Sequence, residues 1–218
     1  GFIYYGGDRF SKSAGIRLDL REAIARHGPD ALRYFLLREV GFAGDGNFSW
    51  ERFDERYHAD LADGLGNLAS RSLAMIERYR GGVVPDGGAT PLDAAGEAAL
   101  RTYGAAMDAL DLKGGADAAW SLVTVANQYI VQTAPWTLAK QGKDPELDAA
   151  LAALARVLVR LGVMAGPFMP GKAAELWSHL GQDAPVTAAW ALATQPEVGG
   201  RKVRKPEGIF PKPSQPNP

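Results

Sequence analysis

The stretch "GLGNLASRSLAMI" at residues 64–76 decides the fold, because it lies in the middle of a long amphipathic helical pattern. The pattern runs from Trp50 to about Arg80. One stripe of it predicts a buried face and contains Leu61, Leu65, Leu68 and Ser72. A second stripe is open or polar and contains Asp60, Gly64, Asn67 and Arg71. Two such faces on one helix are typical of a bundle, with one side packed inward and the other in water.

Further helical patterns follow at about 92–110, 115–141, 145–165 and 171–180. They are long, rich in alanine and leucine and joined by short loops, as in helical bundles. Pro135 falls inside one of these patterns and should kink the helix or break its hydrogen-bond ladder. Beyond Gln182 the sequence is rich in proline and glycine, which predicts an extended tail.

The segment ahead of the bundle has a different pattern. "GFIYY" at 1–5 reads as a short strand, and two helical patterns follow at 18–28 and 29–40. The sequence therefore predicts a mainly α fold, in which a helical bundle is preceded by a small α/β segment. We expect three parts, at 1–48, 49–195 and 196–218.

Composition limits the classes of function. Lysine and arginine number 24 against 25 aspartate and glutamate, so a strongly basic shell that grips any nucleic acid is excluded. With no cysteine and three scattered histidines, we predict no metal site. No apolar stretch approaches the roughly 20 residues of a membrane helix, so we expect a cytoplasmic protein with no membrane partner.

Several polar groups suggest no chemistry. We assign no role to the histidines, which lie in separate helical patterns: His27, His58 and His179. We interpret two carboxylate pairs as solvated faces: Asp54 with Glu55, and Asp108 with Asp111. Four of the five tryptophans are predicted to serve packing: Trp50, Trp120, Trp177 and Trp190.

The loop "DRFSKSAG" at 8–15 joins the opening strand to the first helix. Lys12 stands between Ser11 and Ser13, next to a helix start whose free N–H groups attract anions. A lysine there adds a mobile positive charge for phosphate. The alternative is a capped turn with an exposed lysine.

Asn67 and Arg71 are four residues apart, so they share a helix face and stand about 6 Å apart along its axis. A planar amide and a rigid guanidinium side by side can read the edge of a nucleobase. The alternative is a polar stripe on the bundle surface. Gly64 and Gly66 cost helix stability, which suggests that something approaches the backbone closely there.

Trp136 directly follows the helix-interior Pro135. A kink at this proline can turn the indole outward, where it would serve as a stacking platform for a base. The alternative is a core tryptophan that fills the bend.

Together these stretches resemble the methionyl-tRNA synthetase family of class I aminoacyl-tRNA synthetases. "RFSKS" at 9–13 looks like the family's KMSKS loop, with arginine for the first lysine and phenylalanine for the methionine. Residues 45–79 are similar to the entry into its anticodon-binding bundle, and "ANQYIVQTAPWTLAK" at 126–140 resembles the helix with its anticodon tryptophan. NLASR together with APW at this separation is the specific part of the resemblance.

The resemblance implies roles for particular residues. Lys12 matches the catalytic loop lysine that steadies the ATP phosphates during amino-acid activation. The whole ATP-binding loop would comprise Arg9, Phe10, Ser11, Lys12 and Ser13. Recognition of the CAU anticodon would fall to Asn67, Arg71 and Trp136, by base-edge reading and by stacking on an unstacked base.

The resemblance also implies an activity, methionine–tRNA ligation with ATP and Mg²⁺, whose partners are methionine and tRNA(Met). The family's HIGH motif and methionine pocket precede the loop, so we expect this chain to be the C-terminal portion of such an enzyme, unable to activate methionine alone. The alternative is a stand-alone helical module that binds tRNA or another protein without catalysis.

Overall fold

The computed structural model describes residues 3–5, 8–9, 19–39, 45–182, 186 and 189–211, with the backbone alone at 8–9. Three short strands are β1 Ile3–Tyr5, β2 Asp8–Arg9 and β3 Gly46–Phe48. The helices up to residue 80 are α1 Leu20–His27, α2 Pro29–Glu39, α3 Trp50–Arg56, the π-helix Tyr57–Gly66 and α4 Asn67–Arg80. The remaining helices are α5 Pro91–Asp108, α6 Leu112–Thr133, α7 Pro135–Lys140, α8 Asp144–Ala165, α9 Pro170–His179 and α10 Trp190–Thr194.

The strands form one small sheet in the order β2-β1-β3. β1 is antiparallel to β2 and parallel to β3, with Ile3 opposite Gly46. Phe48 of β3 is fully buried and packs against Phe35 of α2 and Phe53 of α3, so these aromatic rings fix the sheet to the helices. This confirms the prediction of a small α/β segment ahead of a helical bundle.

The long helical pattern from Trp50 to Arg80 is interrupted by the π-helix in its middle. The Ser49 hydroxyl caps its start by accepting a hydrogen bond from the Arg52 N–H. The stripe predicted to be buried lies in the core: Leu61, Leu65, Leu68 and Ser72. The side-chain pattern is therefore right about the faces, although it does not distinguish an i→i+5 turn from an α-turn.

The bundle is built around α8, whose sequence is apolar on nearly all sides and buried along most of its length. Arg80, the last residue of α4, donates hydrogen bonds to Asp144 and Asp148 in the first turns of α8, so α4 and α8 run antiparallel. α5 and α6 pack against each other and against α8. The predicted bundle is confirmed. Within the described residues, no helix is both long and apolar enough to cross a membrane.

Pro135 breaks its helix rather than bending it. α6 ends at Thr133, Ala134 adopts the left-handed conformation with φ 44°, and Pro135 becomes the first residue of α7. Proline lacks the N–H that would continue the ladder but is well suited to a first turn. The expectation of one helix over 115–141 is therefore corrected to two.

The segment beyond Gln182, predicted to be extended, contains the short helix α10 and then folds back over the bundle. Lys202 forms a β-bridge with Val83, and the Val84 N–H donates to the Arg201 carbonyl oxygen over 2.9 Å. Further along, Phe210 is buried against Gly66, where an added Cβ would lie 3.3 Å from the ring. The close approach expected at Gly66 is therefore made by this segment of the same chain.

Candidate nucleic-acid interface

An open cleft of about 670 Å³ separates the π-helix and α4 from α6, and we call it the α4–α6 cleft. Its α4 side includes the polar stripe predicted from the sequence, namely Asp60, Gly64, Asn67 and Arg71. Its α6 side is formed by Trp120, Ser121, Val123, Thr124, Asn127, Gln128, Val131 and Gln132. The cleft is therefore walled by two helices, with polar side chains on both.

Two hydrogen bonds join the walls at the floor of the cleft. The Trp120 indole Nε1–H donates to the Asp60 carbonyl oxygen over 3.0 Å, and the Asn127 amide Nδ2 donates to the Gly64 carbonyl oxygen over 3.3 Å. The two donors, Trp120 and Asn127, follow the same order along the chain as their acceptors, Asp60 and Gly64. The helix α6 therefore runs parallel to the π-helix and α4. Both acceptors belong to the π-helix, so α6 side chains bond directly to its backbone.

Asn67 and Arg71 both line this cleft, with Asn67 exposed and Arg71 half-buried. The Arg71 guanidinium makes no ion pair, and the Asn67 amide no side-chain hydrogen bond, with any other described residue. Both groups have hydrogen-bonding capacity that no other described residue uses. This placement fits base reading and also fits the alternative of a polar stripe on the bundle surface, so the role of the pair stays a prediction.

The other end of the cleft is occupied by an internal ionic network. Tyr34 donates a 2.8 Å hydrogen bond to the Asp60 carboxylate, and Arg38 lies 3.3 Å from Asp60 and 3.2 Å from Asp117. Burial and the neighbouring Asp60 raise the pKa of Tyr34, so its hydroxyl stays a donor at ordinary pH. These charges are satisfied internally, which leaves the Asn67–Arg71 end as the open one.

Trp136 is 39% exposed, because the break at Ala134 and Pro135 starts a new helix with the indole at its surface. It is not one of the cleft-lining residues, but it follows Gln132, the last cleft residue of α6, by four positions. The core alternative is thus excluded for this side chain. Its pairing with Asn67 and Arg71 around one ligand stays a prediction.

The packing tryptophans divide into two groups. Trp120 and Trp177 are buried and Trp50 is half-buried, as expected for side chains in the core or beside it. Trp190 is 46% exposed and stacks on Tyr103, with 6.1 Å between ring centroids. Trp190 therefore packs with only one face, on a surface away from the cleft lining.

The ATP-binding loop predicted at Arg9, Phe10, Ser11, Lys12 and Ser13 lies outside the described residues, apart from the Arg9 backbone in β2. Its assignment stays a prediction. Among the residues that are described, no group of three or more histidine and acidic side chains could hold a metal ion.

One expectation about polar groups is wrong. Asp54, interpreted as part of a solvated face, accepts hydrogen bonds from Arg26 and from His27 Nε2, the latter over 2.7 Å. The His27 ring also stacks on Tyr57 at 3.9 Å between centroids. Burial lowers the pKa of His27, and the Asp54 contact offsets this only in part. This contact joins α1 to α3, and it could not be predicted from local sequence patterns because the partners are far apart in the chain.

Comparison with known proteins decides the family. The model of the family described as "tRNA synthetases class I (M)" matches residues 1–73. The model described as "Anticodon binding domain of methionyl tRNA ligase" matches residues 84–216, more than half of the chain. The chain belongs to the methionyl-tRNA synthetase family.

Curated relatives and solved structures agree with this. The methionine–tRNA ligase of Brucella melitensis is 40% identical over 97% of this chain, and that of Caldanaerobacter subterraneus is 37% identical over the same share. The chain spans 42% and 34% of their respective lengths. The Mycobacterium tuberculosis methionyl-tRNA synthetase in complex with methionyl-adenylate superposes with a TM-score of 0.89 at 32% identity, over 97% of this chain and 43% of that one.

Proposed function

We propose that this chain recognises the CAU anticodon of tRNA(Met) and supplies the ATP-phosphate loop of a methionine–tRNA ligase. The complete reaction activates methionine with ATP and Mg²⁺ and transfers it to the tRNA, in the cytoplasm. The observation that carries the proposal is the placement of Asn67 and Arg71 on one wall of an open cleft, with no hydrogen-bond or ion-pair partner for either side chain among the described residues.

Asn67 and Arg71 read base edges, whereas Trp136 supplies a stacking surface at the end of the adjacent helix. Anticodon loops present splayed bases, and proteins recognise such bases through aromatic platforms and planar polar groups. The near-zero net charge fits this mode of binding, because affinity then depends on a few base contacts rather than on a broad basic surface.

In this proposal, ATP binding and anticodon binding belong to different parts of the chain. Residues 1–48 carry the loop in which Lys12 meets the ATP phosphates, assisted by Arg9, Ser11 and Ser13. Residues 49–195 form the anticodon-binding bundle, and residues 196–218 form the C-terminal tail. Family membership and the match of the relatives along the chain support this division.

The proposal is tested by measuring tRNA(Met) binding to the protein at fixed salt concentration. Asn67→Ala, Arg71→Ala and Trp136→Ala should each weaken binding about tenfold or more, because a good base contact or a stacked base contributes about 1–3 kcal/mol. Trp190→Ala is the matched control, since Trp190 is an exposed tryptophan outside the cleft.

Loss of binding should also follow when the CAU anticodon is replaced in otherwise unchanged tRNA. If the Asn67, Arg71 and Trp136 variants all bind tRNA(Met) as tightly as the Trp190→Ala control does, anticodon recognition by these residues is excluded.

A further inference from the structure

A cavity of about 360 Å³ lies where the end of α10 meets α5 and α8, and we call it the α8–α10 cavity. It shares no lining residue with the α4–α6 cleft, so it is a separate site. Its volume is within the range of small-molecule sites, which is about 300–1,000 Å³. Five of its lining residues are charged: Asp93 and Glu97 of α5, Arg156 and Arg160 of α8, and Glu197 beyond α10.

Arg160 is the buried cation of this cavity, with 2% of the residue exposed. Its Nε–H donates to the Ala193 carbonyl oxygen over 3.1 Å, and this is its one hydrogen bond to a described residue. The Nη1 atom is buried and has no hydrogen-bond partner among the described residues. Burial lowers the pKa of Arg160, as expected of a cation that has lost its water and gained little in return. Arg160 therefore has N–H groups available to an acceptor that enters the cavity.

The carboxylate of Asp93 does not serve as that acceptor, because other groups already occupy it. Arg156 donates to its two oxygens over 2.6 and 2.9 Å, and Thr90 donates from both its backbone N–H and its hydroxyl. Oδ1 of Asp93 lies 3.9 Å from Nη1 of Arg160, which is beyond hydrogen-bonding distance. Asp93 and Arg156 thus neutralise each other, and the charge of Arg160 is left over.

Two exposed glutamates, Glu97 and Glu197, line the same cavity. Neither makes an ion pair with another described residue. The cavity therefore combines one buried, unpaired positive charge with two exposed negative charges. A simple anion would be attracted by Arg160 and repelled by both glutamates, whereas a molecule with a carboxylate and an ammonium group matches both signs of charge.

We propose that the α8–α10 cavity binds a small zwitterion of the amino-acid class, whose carboxylate accepts hydrogen bonds from Arg160 and whose ammonium group lies beside Glu97 and Glu197. A guanidinium suits this role because it matches a carboxylate in charge and planarity. The bound zwitterion contacts α5, α8 and the segment that follows α10, so it fastens these three parts together. The inference goes beyond anticodon recognition and does not depend on it.

Glycine is the probe, because it is the smallest zwitterion of this class, and acetate and methylammonium each carry one of its two charges. NMR spectra of the chain follow the arginine Nε–H groups and the backbone amides of residues 194, 195 and 197. Glycine should shift the Arg160 and 194–197 signals saturably. At equal ionic strength, acetate should bind about two- to fivefold more weakly, since it lacks the contact with the exposed glutamates, and methylammonium should leave the Arg160 signal in place.

Arg160→Met should abolish glycine binding, as followed by the backbone amides. The fold should survive, because an apolar side chain of similar length replaces a buried charge that lacks a paired anion. Thermal unfolding checks this. The double variant Glu97→Gln with Glu197→Gln changes only exposed side chains, and it should weaken glycine binding about two- to fivefold while acetate binds as tightly as before or more so.

Glu77→Gln is the matched control, because Glu77 is an exposed glutamate of α4 outside the cavity lining, and it should leave both affinities unchanged. Absence of a saturable shift in the wild-type chain, or glycine binding that persists in Arg160→Met, would overturn the site. Equal affinities for glycine and acetate that the double glutamate variant leaves unchanged would overturn the zwitterion in favour of a simple anion. None of these outcomes affects the tRNA(Met) measurements on Asn67→Ala and Trp136→Ala.

Discussion

The indole N–H of Trp120 donates a hydrogen bond to the backbone carbonyl oxygen of Asp60, and this contact fastens one wall of the α4–α6 cleft to the other. The Trp120 ring also packs on Tyr34, with 4.3 Å between ring centroids. Trp120 therefore connects α6 to the π-helix and to α2. Its contribution to the free energy of unfolding has two parts, the hydrogen bond to Asp60 and the packing of the ring on Tyr34.

Trp120→Phe should lower the free energy of unfolding by about 1–3 kcal/mol, because the substitution keeps a ring but leaves the Asp60 carbonyl group without its donor. Urea unfolding measures this difference. Trp190→Phe is the control and should change stability by less than about 0.5 kcal/mol, as expected of a half-exposed position. Equal effects for the two variants would contradict the importance of the Trp120 hydrogen bond.

Two glycines of α5 should respond to alanine with opposite signs. A Cβ at Gly104 would meet only the Trp190 ring at 3.6 Å, an ordinary contact, so Gly104→Ala should stabilise the protein by about 0.5–1 kcal/mol. A Cβ at Gly96 would lie 2.9 Å from Nη1 of the buried Arg160, so Gly96→Ala should destabilise it.

Differential scanning calorimetry distinguishes these signs, since 1 kcal/mol corresponds to roughly 2–4 °C in Tm for a chain of this size. A rise in Tm for both variants would show that Arg160 moves aside at little cost. A fall for both would mean that the Trp190 contact at Gly104 is tighter than the structure indicates.

The buried His27 should make stability depend on pH. Burial lowers its folded-state pKa below the ordinary 6.5, so the unfolded chain binds more protons just below that pH. Its contribution is fully present above pH 6.5 and is lost as the pH falls toward the folded-state pKa. The free energy of unfolding should therefore decrease between pH 7.5 and 5.5.

In His27→Gln this decrease should become smaller, because the titrating group is gone while a hydrogen-bonding side chain remains opposite Asp54. His179→Gln provides the comparison: this histidine is half-buried, with Nδ1 3.1 Å from the Arg204 carbonyl oxygen. Urea unfolding at the two pH values gives the slopes. An unchanged slope in His27→Gln would assign the pH dependence to other groups.

Lys12→Ala should reduce methionine activation about 10²-fold or more in the full-length protein, because the loop lysine stabilises charge that develops on the ATP phosphates. ATP–pyrophosphate exchange measures this step. Binding of tRNA(Met) should be unchanged, since Asn67, Arg71 and Trp136 are intact. Loss of tRNA binding together with activation would instead indicate that residues 8–15 support the fold.

The sequence predicted the faces of the helices better than their interruptions. Leu61, Leu65 and Leu68 were placed in the core correctly, because burial follows from apolar spacing alone. The π-helix could not be predicted from that spacing, because the same apolar stripe fits an α-turn; the hydrogen bonds from Trp120 and Asn127 to its carbonyl groups come from another helix. Such contacts join residues far apart in the chain.

The polar groups show the same division. Asn67 and Arg71 were found from their four-residue spacing, which a regular helix translates directly into a shared face. The contact of His27 with Asp54 and the burial of Arg160 in the apolar α8 arise from packing between elements.

The packing of Phe210 against Gly66 has a consequence for biosynthesis. A nascent chain that has left the ribosome only as far as α9 contains the π-helix and α4 but not the ring that covers Gly66. The π-helix and α4 make their contacts with residues 198–210 only after those residues have left the ribosome. Premature termination after α9 would thus yield a polypeptide that retains Asn67, Arg71 and Trp136 but lacks the Phe210 ring that covers Gly66.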